Sequence, residues 1–218
     1  MSRSENLYRE RQLEAIAARW DLKAAGWDAA LEDPACHLNE DDAYQGFLKE
    51  AQAIIDERRA FCKAHGVIDA GCGTGLVLSQ VTPFFAWGLG VDISSEMIRA
   101  ARRKRIPNAR FSVADCFRLD KLCPAAGAIF SRGVLLSHYG RDQGLVLLSA
   151  IRAALVPDGF FMCDFLNVTA KPQSGHLARG KTHFNAEDAL HMGREAGFRR
   201  SEVLGPANRR ALILLSHV

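Results

Sequence analysis

Short apolar runs alternate with amphipathic segments along the chain after Gly66. A continuous apolar run of four to eight residues is typical of a strand buried on both faces, whereas apolar residues at helical spacing mark one face of a helix. This pattern predicts strands over 67–70, 87–92, 109–115, 127–131, 160–166, 198–204 and 210–216. It predicts helices over 76–85, 94–104, 144–155 and 185–196.

The order of these elements indicates an α/β fold. Strands that alternate with helices form a parallel sheet with helices on both faces, since each connection crosses over the sheet. The last two predicted strands are joined only by residues 205–208. So short a link permits an antiparallel hairpin and no crossover. We therefore expect a mostly parallel sheet whose last strand is antiparallel.

The first 65 residues have a different pattern and a different charge. Two amphipathic helices are predicted, one from about Leu7 into the twenties and one from Phe47 to Cys62, with a loop over residues 29–44 between them. Residues 1–65 hold 9 Lys and Arg against 13 Asp and Glu, whereas residues 66–218 hold 19 against 12. We expect an acidic N-terminal helical lid over 1–65, called the leader below, and a basic main domain over 66–218, called the body.

Composition excludes several classes of protein. With 218 residues, 48% of them hydrophobic, the chain can form one ordinary core. The net charge of +3 requires neither a nucleic acid nor a membrane as partner, and no apolar run approaches the roughly 18–20 residues that span a bilayer. The six cysteines form no C-x-x-C pair, and the first residues lack a signal-peptide stretch. We expect a cytoplasmic protein that is a monomer or a homodimer.

The segment VIDAGCGTG, residues 67–75, carries the clearest chemical signal. A strand leads into glycines at three alternate positions, Gly71, Gly73 and Gly75, and a helix follows. Glycines let the backbone turn sharply and approach a ligand closely. A dinucleotide site would have the pattern G-x-G-x-x-G. Here the pattern is G-x-G-x-G, and the carboxylate of Asp69 would repel phosphate and suit a ligand that carries an ammonium group.

Two further acids end the next two predicted strands. Asp92 follows Gly71 by 21 residues and is placed to accept the hydroxyl groups of a ribose. Asp115 is placed to accept from the exocyclic amine of an adenine, to which the backbone N–H of Cys116 would also donate. Ile93 and Met97 would flank the ring with apolar surface.

Four segments together resemble the successive motifs of class I S-adenosylmethionine-dependent methyltransferases of the small-molecule type. They are VIDAGCGTG, GVDISSEMI, VADCF and LVPDGFFMCDF, in that order, and the resemblance extends over most of the chain after residue 65. It implies a three-layer Rossmann-like fold with a seven-stranded sheet, and S-adenosylmethionine as the cofactor.

The resemblance also implies roles for single residues. The loop from Gly71 to Gly75, which includes Cys72, would wrap the methionine part of the cofactor. Asp69 and the backbone carbonyl of Ser131 would support its ammonium group. Asp92 would bind the ribose, and Asp115 with Cys116 would bind the adenine.

Candidate acceptor-side residues follow the fourth predicted strand. In SRGVLLSHYG, residues 131–140, His138 is the candidate base, because histidine titrates near neutrality. Tyr139 and Arg132 are candidates to contact the acceptor. Leader aromatics could enclose the substrate, and His37, His176 and His183 could border the pocket; the aromatics are Tyr8, Trp20, Trp27 and Tyr44. Structural roles for all of these residues stay open. The walls that they would form around an acceptor are small, which favours a small molecule over a macromolecule.

Other reactions and acceptors stay open as well. The fourth strand ends in FSRG, without the motifs of methyltransferases that modify amino groups or the C5 atom of nucleic-acid bases. No acid stands at Ser131, where Mg²⁺-dependent methyltransferases of the catechol type need a carboxylate. Asp164 and Asn167 only weakly resemble such a metal site. The basic run at 99–105 leaves an RNA or protein acceptor as an alternative. Non-methylating chemistry that releases methylthioadenosine, or a non-catalytic nucleotide sensor, would use the same binding motifs.

Overall fold

Seven strands form one mixed sheet in the computed structural model, which describes residues 3–32, 43–133, 135–167, 184–205 and 210–217. The strand order is β3-β2-β1-β4-β5-β7-β6. The pairs among β1 to β5 are parallel, and β7 is antiparallel to both β5 and β6. The predicted α/β fold with an antiparallel last strand is therefore confirmed.

The elements have the following bounds. The strands are β1 Val67–Ala70, β2 Gly88–Asp92, β3 Ala109–Val113, β4 Ala126–Arg132, β5 Leu155–Leu166, β6 Arg200–Leu204 and β7 Arg210–Ser216. The helices are α1 Arg3–Asp21, α2 Trp27–Glu32, α3 Ala43–Glu57, α4 Arg59–Ala64, α5 Leu76–Val81, α6 Ser95–Arg103, α7 Leu135–His138, α8 Arg141–Ala153 and α9 Ala186–Glu195.

The two faces of the sheet are covered by different helices. Successive residues of β5 point to opposite faces, so Phe160 and Phe161 belong to different buried clusters. Phe160 lies in one cluster with Phe47 of α3, and Phe161 lies in the other with Leu148 of α8. Because α3 supplies core residues, the second half of the leader is packed on the sheet as an integral layer.

Several predicted bounds in the body were wrong, each for a local physical reason. Strand β5 begins at Leu155, and Pro157 lies inside it, where the register with β4 shifts between Ala126 and Ala128. The irregularity accommodates a proline that cannot donate to a ladder. Helix α5 ends at Val81, and a 3-10 turn Thr82–Phe84 continues the chain.

The leader differs from its prediction in two places. The loop expected from residue 29 onward begins instead as helix α2, Trp27–Glu32. The single helix expected to Cys62 is divided at Arg58, whose φ of −109° and ψ of 27° are not helical, into α3 and α4. Asn39 or Asp41 could cap the predicted second helix of this region by sequence, and both lie outside the described residues.

We expect the substitution Gly75→Ala to destabilise the fold by about 2–4 kcal/mol. Gly75 has φ +81°, and an added Cβ would lie 2.9 Å from Cε1 of Phe111. Thermal or urea unfolding measures the loss. Gly46→Ala is the matched control, because Gly46 lies in α3 with nothing within 4 Å of its would-be Cβ. An equal loss in both variants would contradict this account of the loop.

Candidate active site

The glycine loop after β1 is fastened to the neighbouring strand β2. The backbone N–H groups of Gly71 and Cys72 both donate to the carbonyl of Val91, at 2.7 and 3.0 Å. Gly71, Gly73 and Gly75 have φ of +76°, +52° and +81°. Residues that carry a Cβ rarely adopt this left-handed backbone conformation. The sequence thus folds into a loop with a bare backbone at the carboxyl ends of the strands.

A cavity opens beside this loop, where ligands of open α/β sheets bind. Twelve of the fifteen predicted site residues line it. The lining residues are Ile16, Trp20, Trp27, Tyr44, Asp69, Gly71, Cys72, Gly73, Thr74, Leu76, Val77, Asp92, Ile93, Met97, Cys116, Arg132, His138 and Tyr139. One cavity therefore brings the predicted cofactor residues together with the predicted acceptor residues.

Asp92 joins the two loops on the cofactor side. One oxygen of its carboxylate accepts from the backbone N–H of Gly73 and the other from that of Ser94, each at 2.9 Å. Burial raises the pKa of Asp92, and these backbone donors oppose the rise. The carboxylate lines the cavity, and its predicted contact with a ribose stays a prediction.

Asp69 lies buried at the base of the cavity with 1% of its surface exposed. Its Oδ2 atom has no hydrogen-bond partner among the described residues. Burial, with a smaller effect from Asp92, raises the pKa of Asp69 to about 7, and a hydrogen bond from the backbone of Leu78 opposes the rise. A buried carboxylate with an open oxygen suits a cationic group, as the ammonium of the implied cofactor requires.

Three predicted site residues, Gly75, Asp115 and Ser131, do not line the cavity. Gly75 allows close approach of Phe111. Asp115 caps a 3-10 helix, Cys116–Lys121, by accepting from the N–H of Phe117 at 2.9 Å. Ser131 is fully buried in β4. Their predicted contacts with a cofactor are not tested by this arrangement.

Aromatic rings form the acceptor side of the cavity. His138 is 7% exposed, and its ring meets Trp20 edge to face at a centroid distance of 6.2 Å. Tyr139 meets Phe117 in the same way at 4.9 Å. The guanidinium of Arg132 lies over the ring of Tyr44, 4.9 Å from its centroid. The candidate base His138 is therefore buried on the aromatic wall of the cavity.

The sequence interpretation missed two acids that fasten the leader to the cofactor loops. Asp21 accepts from the hydroxyl of Ser94 at 2.6 Å, and Asp28 accepts from the hydroxyl of Thr74 at 2.5 Å. Both partners are more than forty residues away in sequence, so no local pattern could reveal these contacts. Ile16, Leu76 and Val77 were missed as lining residues because apolar side chains carry no chemical signal.

Asp164 is occupied by a buried ion pair. Its carboxylate accepts from Nε of Arg210 at 2.6 Å and from the backbone N–H of Gly133. Within the described part of the chain, no cluster of His, Cys, Asp and Glu side chains could hold a metal ion. The carboxylate therefore anchors the turn after β4, which leads to His138.

Some predictions fall on residues that the structure does not describe. His37, His176 and His183 lie outside the described residues, as does the side chain of Tyr8. In the part of the chain that is described, none of the helices combines the length and the apolar character needed to cross a bilayer.

Comparison with known proteins extends the picture. Residues 67–159 match the family model of the methyltransferase domain. A dTDP-3-amino-3,6-dideoxy-alpha-D-glucopyranose N,N-dimethyltransferase of Streptomyces fradiae is 25% identical over 173 residues, 77% of this chain and 66% of that protein. A dTDP-3-amino-3,4,6-trideoxy-alpha-D-glucopyranose N,N-dimethyltransferase of Streptomyces venezuelae is 34% identical over 88 residues, 39% of this chain and 37% of that protein. The chain thus spans just under two thirds of one curated relative and little more than a third of the other.

A solved structure shows the same fold over nearly the whole chain. Magnesium protoporphyrin IX methyltransferase from Synechocystis PCC 6803, with bound S-adenosylhomocysteine, superposes with a TM-score of 0.71 at 16% identity, over 94% of this chain and 99% of that one. At this identity the likeness concerns the fold. Residues 67–159 thus match a methyltransferase domain, and the chain is similar in fold to class I S-adenosylmethionine-dependent methyltransferases.

Proposed function

We propose that this protein transfers a methyl group from S-adenosylmethionine to an amino group of a small metabolite. The observation that carries the proposal is the single cavity that joins the glycine loop and Asp92 to the aromatic wall around His138. A macromolecular acceptor would need a wide, open surface at the reacting end, whereas His138 is buried and the leader helices lie across it.

Several residues of the cavity support the contacts that we propose for S-adenosylmethionine. Asp69 would hold the ammonium group through its open oxygen, and Asp92 would accept from the ribose hydroxyls. Ile93, Met97 and Cys116 would surround the adenine with apolar surface. When bound there, the cofactor supplies an electrophilic methyl group on its sulfonium.

The protein's own contribution lies in orientation, exclusion of water and proton transfer. Trp20 and Tyr139 would hold an acceptor ring close to the methyl group and keep water away from it. An amine attacks as the neutral base, and His138 would take up the proton that its nitrogen loses. Arg132, over the Tyr44 ring, would hold an anionic group of either the acceptor or the cofactor.

An amine acceptor is favoured over a hydroxyl for two reasons. A hydroxyl needs a strong base, and within the described residues the acceptor wall offers only one histidine for that task. The two curated relatives, moreover, are named for N,N-dimethylation of amino sugars. We therefore propose an amino sugar or a similar cyclic amine as the substrate class.

We also propose that the chain consists of two parts with different roles. Residues 1–65 would form the leader and residues 66–218 the cofactor-binding domain, with α1 and α2 as the covering part of the leader. A cytoplasmic location is supported by the described cysteines, all five of which are free thiols. The net charge of +3 does not favour a nucleic acid as a binding partner. We expect the protein to be a monomer or a homodimer.

A matched pair of acceptors tests the proposed acceptor atom. The protein is incubated with S-adenosylmethionine and either an amino sugar nucleotide or its hydroxyl analogue, and S-adenosylhomocysteine is measured by mass spectrometry. Product should form with the amine and fail to form with the hydroxyl. Turnover with the hydroxyl analogue alone would contradict N-methylation.

The affinity for S-adenosylmethionine should depend on pH through Asp69. Since the pKa of Asp69 is raised to about 7, the carboxyl is mostly neutral below that pH and charged above it. The cofactor is a cation, so its affinity should rise as pH increases from about 6 to about 7.5, until the α-amino group of the cofactor begins to lose its proton near about 8.

Isothermal titration calorimetry across this range measures the effect. In Asp69→Asn, which cannot ionise, the rise should disappear and the affinity should stay at the low-pH level of the wild type. A wild-type affinity that is flat or falls between pH 6 and 7.5 would contradict the role given to Asp69.

A further inference from the structure

The leader is held on the body by two carboxylates that reach the two cofactor loops. Asp21, the last residue of α1, accepts from the hydroxyl of Ser94 at 2.6 Å and from the backbone N–H of Glu96 at 3.1 Å with the same oxygen, Oδ1. Asp28, in α2, accepts from the hydroxyl of Thr74 at 2.5 Å and pairs with Lys104 at 2.7 Å.

Both anchors end next to Asp92. Ser94, which donates its hydroxyl to Asp21, donates its N–H to one oxygen of Asp92. Thr74, which donates to Asp28, follows Gly73, whose N–H donates to the other oxygen of Asp92. A chain of hydrogen bonds and one peptide bond therefore runs from Asp21 through Asp92 to Asp28.

The residues between the two anchors complete the cavity wall. Trp20 precedes Asp21 and contacts His138, and it also meets Trp27 edge to face at 5.1 Å. Trp27 precedes Asp28, and its Nε1 would lie 3.4 Å from a Cβ on Gly73. Each anchor thus fixes the adjacent indole ring, one against the candidate base and one over the glycine loop.

We propose that Asp21 and Asp28 are positioning residues that fasten the leader across Asp92, so that cofactor binding and completion of the acceptor wall depend on each other. This inference rests on the proposed use of the cavity for S-adenosylmethionine. A cofactor bound to Asp92 holds the two loops in the arrangement that both anchors need, and the anchored leader in turn covers the cofactor. Loss of an anchor should therefore speed cofactor release.

The tryptophans provide the measurement. The chain has three, of which Trp20 and Trp27 lie in the leader and Trp87 lies against Gly66 just before β2, away from the cavity. Protein loaded with S-adenosylhomocysteine is mixed in a stopped-flow instrument with an excess of a competing cofactor analogue, whose absorbance differs from that of S-adenosylhomocysteine. The change in tryptophan emission as the analogue replaces S-adenosylhomocysteine gives the dissociation rate.

Asp21→Ala should raise the dissociation rate by about tenfold or more, because it removes two charge-assisted hydrogen bonds. Asp21→Asn keeps the single oxygen that accepts both bonds, so its rate should lie within about threefold of the wild type. Asp120→Ala changes an exposed acid that does not line the cavity; it is the matched control and should leave the rate unchanged. Asp21→Ala should also raise the KM for the acceptor.

The outcomes separate the two proposals. An Asp21→Ala rate equal to that of the wild type would overturn this inference alone, and so would an Asp21→Asn rate as fast as that of Asp21→Ala, which would point to simple attraction of charge. Failure of the wild type to bind S-adenosylhomocysteine at all would overturn the proposed function together with the inference.

Discussion

Replacement of Asp92 by alanine is expected to weaken S-adenosylmethionine binding by about a hundredfold or more. The change removes the carboxylate that would accept from the ribose, and hydrogen bonds to a charged group contribute about 1.5–3 kcal/mol each. It also leaves the N–H groups of Gly73 and Ser94 without their acceptor, so the two cofactor loops lose the bond that joins them. Equilibrium dialysis with labelled cofactor measures the affinity.

Asp115→Ala is the matched control for this experiment. Both acids end or follow neighbouring strands, but Asp115 caps a short 3-10 helix and does not line the cavity. Its loss should reduce stability by about 1 kcal/mol and affect affinity less than the loss of Asp92. Circular dichroism establishes that both variants are folded. A wild-type affinity in Asp92→Ala would contradict the assignment of Asp92 as the ribose carboxylate.

The second large effect is expected from His138→Phe, which should lower kcat by about a hundredfold to ten-thousandfold if the imidazole takes the acceptor's proton. Phenylalanine preserves an aromatic edge against Trp20, so the wall should keep its shape. The bond from Gln12 to the backbone carbonyl of His138 does not depend on the side chain. The Kd for S-adenosylmethionine should therefore stay within about threefold.

Tyr139→Phe separates this effect from a general disturbance of the wall. It keeps the edge contact with Phe117 and removes only the hydroxyl, so kcat should fall by less than about tenfold. Steady-state kinetics with saturating cofactor measure both variants. If His138→Phe kept the wild-type kcat, His138 would be a structural residue and not the base.

The central strands were predictable because they are buried on both faces. Burial of this kind forces a continuous apolar run, as in Val67–Ala70, where all four residues are buried and the predicted bounds are the observed ones. Arg210–Ser216 at the edge side of the sheet also has its predicted bounds, although its residues alternate between buried and half-buried positions. The start of β5 was not predictable, since Pro157 argues locally against a strand and only the shift of pairing between Ala126 and Ala128 admits it.

The part of the cavity formed by the glycine loop and the strand ends was more predictable than the leader that covers it. Gly71 and Gly73 are required by backbone conformation, and Asp69 and Asp92 by their place at strand ends, so each leaves a trace in the local sequence. The leader's contacts leave no such trace. Asp28 meets Thr74 only because α2 folds back over 46 positions of sequence, and the residues around Asp28 were interpreted in part as a loop.

The most direct test of the account follows the fate of the methyl group. Purified protein is incubated with S-adenosylmethionine that carries a deuterated methyl group, first alone and then with an amino sugar nucleotide, and all adenosyl and sugar products are identified by mass spectrometry. The account predicts S-adenosylhomocysteine only when the amine is present, with the deuterated methyl on its nitrogen. Methylthioadenosine formed without any acceptor, above the level of a no-enzyme control, would contradict methyl transfer as the function of this cavity.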